Sequence, residues 1–104
     1  MEETQAMHGL IGRMPALPGQ RDALIAILLE GTGGMPGYLS YIVAKDPTDA
    51  DAIWITEVWD SRASHDASLR LPAVQDAIRR GQPLIASFDH GRKTAPVGGV
   101  GLHR

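Results

Sequence analysis

The run Ile53-Trp54-Ile55-Thr56-Glu57-Val58-Trp59-Asp60-Ser61-Arg62-Ala63-Ser64-His65 passes from a β pattern directly into the start of a helix. Ile53, Ile55, Glu57 and Trp59 fall on one strand face and Trp54, Thr56 and Val58 on the other, with the β-branched and aromatic enrichment of a pleated surface. Both faces are largely apolar, so both need a cover. A chain of 104 residues has enough helix for one of them. The second cover is expected to be another subunit. At the strand's end, Asp60 or Ser61 supplies the side-chain oxygen that accepts from an orphan N–H of the next helix's first turn.

Upstream, residues 38 to 45 alternate Tyr38, Ser40, Ile42 and Ala44 against Leu39, Tyr41, Val43 and Lys45, a second strand. This alternation puts Tyr38 and Tyr41 on opposite faces. The Asx- and Pro-rich turn 46–51 joins the two strands as an antiparallel hairpin. Further back, residues 7 to 14 read as a short strand with His8 and Arg13 on opposite faces, and Pro15 and Pro18-Gly19 turn the chain. Leu24, Ile27, Leu28 and Gly31 then mark one face of an amphipathic helix over about 20 to 32, stopped by Gly31, Gly33 and Gly34. Those glycines follow a helix instead of opening one, so they form no phosphate cradle.

Downstream, a helix over Ser61 to about Leu69 gives way at Leu71-Pro72 to another, with Pro72 at its first position. Val74, Ala77, Ile78, Gly81, Ile85 and Phe88 continue a helical stripe through Pro83. Two readings compete. Either the helix runs kinked to about Ser87 and the last strand lies near 91 to 98, or it stops at Gly81 and residues 84 to 90 are the strand. The length of the stripe favours the first. The apolar, glycine-rich tail from Pro96 to Leu102 suits an arm laid over another surface. The order β-α-β-β-α-α-β is the split β-α-β of a ferredoxin-like α+β domain, a four-stranded antiparallel sheet with helices on one face. Its expected limits are 7–97, with a flexible N-terminus at 1–6 and a tail at 98–104.

Composition narrows the function. With a net charge of -2 and scattered Lys and Arg, the chain has no basic stripe, so no nucleic-acid partner is expected. It has no cysteine for a disulfide, a thiolate nucleophile or a cysteine-held metal. The longest apolar stretch, Ala23 to Leu29, is too short to span a bilayer, and the acidic, polar start is unlike a signal peptide. A cytoplasmic protein with no membrane partner is the expectation. His90 and His103 combine with no other histidine in a metal spacing, so no metal is expected. No Ser-His-Asp order has the strand-turn-helix context of a hydrolase.

Three segments carry a resemblance: Pro18-Gly19-Gln20-Arg21-Asp22-Ala23-Leu24 opening the first helix, Pro36-Gly37-Tyr38-Leu39-Ser40-Tyr41 entering strand two, and Glu57-Val58-Trp59-Asp60-Ser61 ending strand three. Together they resemble the antibiotic biosynthesis monooxygenase family, over about Met7 to Val97. The resemblance implies a homodimer, a dimeric α+β barrel. It also implies oxidation of electron-rich aromatics such as quinols or anthrones by O2, without metal, flavin or other cofactor, in a cavity between sheet and helices. Many members have a His nine residues after the Trp of Glu-x-Trp, a position occupied here by Ser68, so that base is not carried over. In the haem-degrading branch of the fold, an Asn on the first strand and a helix Trp would fall near Gly12 and at Ser68. Haem binding is therefore not expected.

His65 is the alternative base, because it shares a helix face with Ser68 and Leu69 and its ordinary pKa near 6.5 suits proton removal from a quinol. Trp59 would be an aromatic wall, with Ser68 and Glu57 as polar support. Each has a structural alternative: His65 as an incidental helix histidine, Trp59 as core, and Glu57 as the ion-pair partner of Arg13, Arg62 or an arginine of the other subunit. For Glu57 the ion pair is the preferred reading. The rival functions are a non-oxidative isomerase or cyclase using the same His, and a binding or stress-response module without chemistry.

Overall fold

The protein is described by a computed structural model over residues 6–31, 34–87 and 91–102. Its elements are β1 (His8–Pro15), α1 (Arg21–Gly31), β2 (Tyr38–Lys45), β3 (Ala52–Trp59), α2 (Arg62–Ser68), α3 (Pro72–Gly81) and β4 (Arg92–Thr94), with one 3-10 turn at Gln82–Leu84. The sheet order is β2-β3-β1-β4 and every neighbouring pair is antiparallel. This is the ferredoxin-like sheet that the element order implied.

Register decides which side chains meet. β1 pairs His8 with Trp59, Leu10 with Glu57, Gly12 with Ile55 and Met14 with Ile53, so these residues share the face covered by helices. Arg13 lies opposite Trp54 on the other face. There it reaches Asp49 at 2.6 Å and Asp46 at 3.6 Å. In the β2–β3 turn, Asp46 Oδ1 accepts from the amides of Thr48 and Asp49, and its Oδ2 accepts from the Trp54 indole at 2.8 Å. This Asx turn fixes the hairpin register.

The expectation that Tyr38 and Tyr41 lie on opposite faces is corrected by a bulge. Tyr38 stands opposite Trp59 and Ser40 opposite Val58, with Leu39 as the extra residue. One inserted residue shifts the alternation, so Tyr38, Tyr41 and Val43 all face the helices.

The C-terminal third also differs from the preferred reading. The helix does not run through Pro83: α3 ends at Gly81, and after the 3-10 turn Ile85 is extended, at φ -90° and ψ 126°. Pro83 has no N–H to continue the helical ladder, and its ring would crowd the carbonyl four residues back. The chain instead bridges Ile85 to Ala16, with Leu17 N–H donating to Leu84 O and Ala86 N–H to Pro15 O, both at 2.8 Å. The last strand is Arg92–Thr94, three residues of the expected 91 to 98. Phe88, His90 and His103 lie outside the described residues.

Two apolar clusters fill the helix side of the sheet. Ala16, Leu24, Ile53 and Ile55 form one, with Met14, Leu28, Val43 and Ile85 packed against it. Met35, Trp59 and Val74 form the other, with Tyr38 and Leu71 against it, and Tyr41 touches both clusters. α1 and α3 approach closely where Gly31 faces Ala77, a spot where an added Cβ would collide with the alanine. Among the described residues no element covers the other sheet face: Ile42 is 55% exposed, Ile11 39% and Trp54 38%. Among the described residues, no helix is long and apolar enough to cross a membrane.

Candidate functional site

Between the two clusters lies a cavity of about 280 Å³. Its floor is the sheet, at Met14, Ile55, Glu57 and Trp59. α1 contributes Leu24 and Leu28, α2 contributes His65, Ser68 and Leu69, and α3 contributes Val74, Ala77 and Ile78. The polar groups on this lining are few, and most lie at the end of β3 and on α2.

The β3–α2 junction places them. Ser61 is extended, and its Oγ accepts from Ser64 N–H at 3.1 Å, capping α2 as one of the two junction residues was expected to do. Gly37, at φ +84°, accepts the Asp60 N–H on its carbonyl at 2.8 Å and ties the start of β2 to this junction. The register of α2 is thereby set, and its face carrying His65, Ser68 and Leu69 turns to the cavity.

His65 is the imidazole on the wall. Its ring meets Trp59 edge-on at 5.3 Å between centroids and the His8 ring at 5.4 Å, Trp59 and His8 being cross-strand neighbours on the sheet, and its Nδ1 lies 3.8 Å from Asp66 Oδ1. Contact with both rings restricts the orientation of the imidazole. The His8 pKa is lowered from its usual 6.5 by burial first, then by His65, Arg62 and Lys93, with Asp66 opposing. Two adjacent imidazoles resist carrying two protons.

Trp59 is 1% exposed and donates its indole N–H to Glu57 Oε1 at 3.0 Å. It is core and cavity wall together. Glu57 is therefore held by the indole, while the arginines expected to pair with it are engaged elsewhere: Arg13 with Asp49 and Asp46, Arg62 3.9 Å from Asp66. Beside it, burial and the Glu57 carboxylate push the Tyr41 hydroxyl above its usual value of 10, so Tyr41 is a neutral donor at any physiological pH. The buried Ser68 hydroxyl donates to the His65 carbonyl at 2.6 Å. With its proton committed to its own helix, Ser68 has only acceptor capacity to offer a ligand.

The structure thus brings His65, Trp59, Glu57 and Ser68 to one cavity together with Tyr41, and it sets His8, for which sequence reasoning has no role, against the His65 ring. Tyr41 arrives through the register of the hairpin, opposite Glu57. His8 arrives through its pairing with Trp59, and only the β1–β3 register carries that information. Among the described residues, no three His, Asp or Glu side chains gather as a metal-binding group.

The sequence profile described as antibiotic biosynthesis monooxygenase matches residues 7–80. A crystal structure of a Chloroflexus aurantiacus protein provisionally assigned to that family superposes with a TM-score of 0.92 at 67% identity, covering 94% of this chain and all of its own. A Caulobacter crescentus protein with the same provisional assignment has a TM-score of 0.82 at 16% identity over 91% of this chain and 93% of its own, a likeness of fold alone. An uncharacterised Synechocystis protein is 26% identical over 78 residues, 72% of this chain and 53% of that protein, so the chain spans about half the length of this relative. With the profile running from the start of β1 almost to the end of α3, the chain belongs to the antibiotic biosynthesis monooxygenase family.

Proposed function

We propose that the protein is a homodimeric, cofactor-independent monooxygenase that oxidises a small hydroxylated aromatic, of the quinol or anthrone type, with O2. The observation that carries this reading is a largely apolar cavity of about 280 Å³ with an oriented imidazole on its wall. Such a volume lies at the small end of ligand pockets and suits a small planar aromatic of up to three fused rings.

His65 is the proton acceptor. An aromatic hydroxyl in an apolar cavity ionises poorly by itself, and an imidazolium formed beside the anion compensates for the missing water. Trp59 backs the cavity wall behind His65, Tyr41 and Glu57 are partners for a hydroxyl, and Ser68 supports the base. The electron-rich anion then reduces O2. In an anthrone, conversion of CH2 to C=O supplies four electrons: one oxygen atom enters the product, the other leaves as water, and no external reductant takes part.

The homodimer is supported by the uncovered outer sheet face, where Ile11, Ile42 and Trp54 form an apolar surface on a protein of otherwise ordinary composition.

An oxygen electrode with a panel of quinols and anthrones tests the reading. Enzyme-dependent uptake is expected, falling about 100-fold or more in His65→Ala, the usual contribution of a positioned base. Turnover without oxygen uptake would identify an isomerase or cyclase. Tight binding without turnover would identify a binding module, and an unchanged rate in His65→Ala would remove His65 from the chemistry.

A further inference from the structure

Gly12 sits in the middle of β1, where glycine weakens a strand and some other demand is expected to keep it there. Neither usual demand applies. Its φ is not positive. An added Cβ would meet, among the described residues, one heavy atom within 4 Å, the Gly91 Cα at an ordinary 3.9 Å. The contrast with Gly9 on the same strand is direct, because a Cβ there would run into the Thr94 and Pro96 side chains. Packing requires glycine at position 9; at position 12 it leaves space.

That space is a second hollow of about 190 Å³, lined by Leu10, Gly12, Met14, Ile55 and Glu57 among others. Met14, Ile55 and Glu57 also line the main cavity, so the two hollows meet along these three side chains. Gly12 stands opposite Ile55 in the β1–β3 register and so shares the cavity face. Arg13 also lines the hollow, but its guanidinium is engaged by Asp49 and Asp46, and among the described residues the remaining walls are largely aliphatic. Glu57 is the carboxylate at the junction.

We infer that the second hollow is a subsite for a short apolar substituent of the aromatic substrate, with Gly12 as the residue that sets how long that substituent can be. This rests on the reading that the ring itself lies in the main cavity. A ring in the main cavity with a hydroxyl on Glu57 has the second hollow beside it, since Glu57, Met14 and Ile55 line both, so a substituent ortho to that hydroxyl can enter the space at Gly12. The substrate class is accordingly an alkyl-substituted quinol or phenol in place of an unsubstituted ring. A side chain at position 12 would occupy the volume the substituent needs.

The test is calorimetric binding in oxygen-free buffer of 1,4-hydroquinone and its 2-methyl, 2-ethyl and 2-propyl homologues to the wild-type protein, Gly12→Ala and Gly12→Val. Each buried methylene is worth about fourfold in affinity. In the wild type, affinity should climb by roughly that factor per carbon. In Gly12→Val the propyl-to-hydroquinone ratio should collapse to near one, and in Gly12→Ala the climb should stop about one carbon earlier. Thermal melts establish that the variants fold, and if the valine variant does not, the alanine variant carries the test. A flat series in the wild type, or a full climb retained in a folded variant, overturns the subsite alone. Failure of hydroquinone and all its homologues to bind overturns the subsite together with the aromatic-binding function.

Discussion

Trp59 serves both as core residue and as cavity wall, and its removal should show in both. It is buried against Met35 and Val74, so Trp59→Ala should cost about 3–5 kcal/mol of stability, measured by urea unfolding. Glu57 loses its indole donor in the same variant. His8 yields a pH prediction whose sign follows from its lowered pKa. Because the unfolded chain takes up the proton near 6.5 and the folded chain only at lower pH, the neutral His8 contributes stability above 6.5 that is lost as pH falls through the folded value. His8→Gln should therefore lose less stability than the wild type when pH is lowered from about 8 to about 5, read from unfolding curves at each pH. Equal losses would show that His8 titrates as it does in the unfolded chain. At this scale the sequence made Trp59, Glu57, His65 and Ser68 legible, because they lie in one continuous run from strand to helix. His8 is some fifty residues away in the chain, and its place beside His65 follows from strand register, which a single sequence does not express.

Among the elements, the tie between the β2 entry and the β3–α2 junction is the most demanding of sequence. Gly37 has φ +84°, and a Cβ there would lie 2.6 Å from Ser64 Cβ. Gly37→Ala should destabilise by about 1–3 kcal/mol and loosen the helix that carries His65. Gly19 is the matched control, with φ +77° and open space around it. Gly19→Ala bears the backbone penalty alone, so urea midpoints should fall further for Gly37→Ala than for Gly19→Ala. The β-hairpin, α1 and the starts of α2 and α3 are readable because period and punctuation agree there: alternation ends before Asp46, Ser61 caps α2, Pro72 opens α3, and α1 stops at Gly31. The segment after Gly81 was not readable in this way. Ile85 continues the helical spacing of α3 yet reaches the core from extended backbone, so its apolar character reports burial without reporting conformation. The bulge at Leu39 is hidden similarly, because either alternation of residues 38–45 offers a plausible face and pairing with β3 selects between them.

For the whole molecule, the sheet's two-sided apolarity points to a second subunit, and the outer face bears exposed Ile11, Ile42 and Trp54, as the proposed homodimer requires. A homodimer formed over this face should sediment at twice the chain mass at micromolar concentration, and Ile42→Asp should shift it toward monomer without unfolding it, since that side chain is more than half exposed within its own chain. A monomeric wild type would refute the dimer. The tail from Pro96 to Leu102 carries Val97 and Val100 fully exposed, as an arm awaiting a second surface would. The central claim is the proposed chemistry, in which a substrate anion formed by His65 in a largely apolar cavity is oxidised by O2. Turnover of an anthrone under 18O2 tests it most directly. The account predicts one labelled oxygen atom per product molecule, one equivalent of labelled water, and loss of both in His65→Ala. Product carrying only solvent oxygen would contradict it.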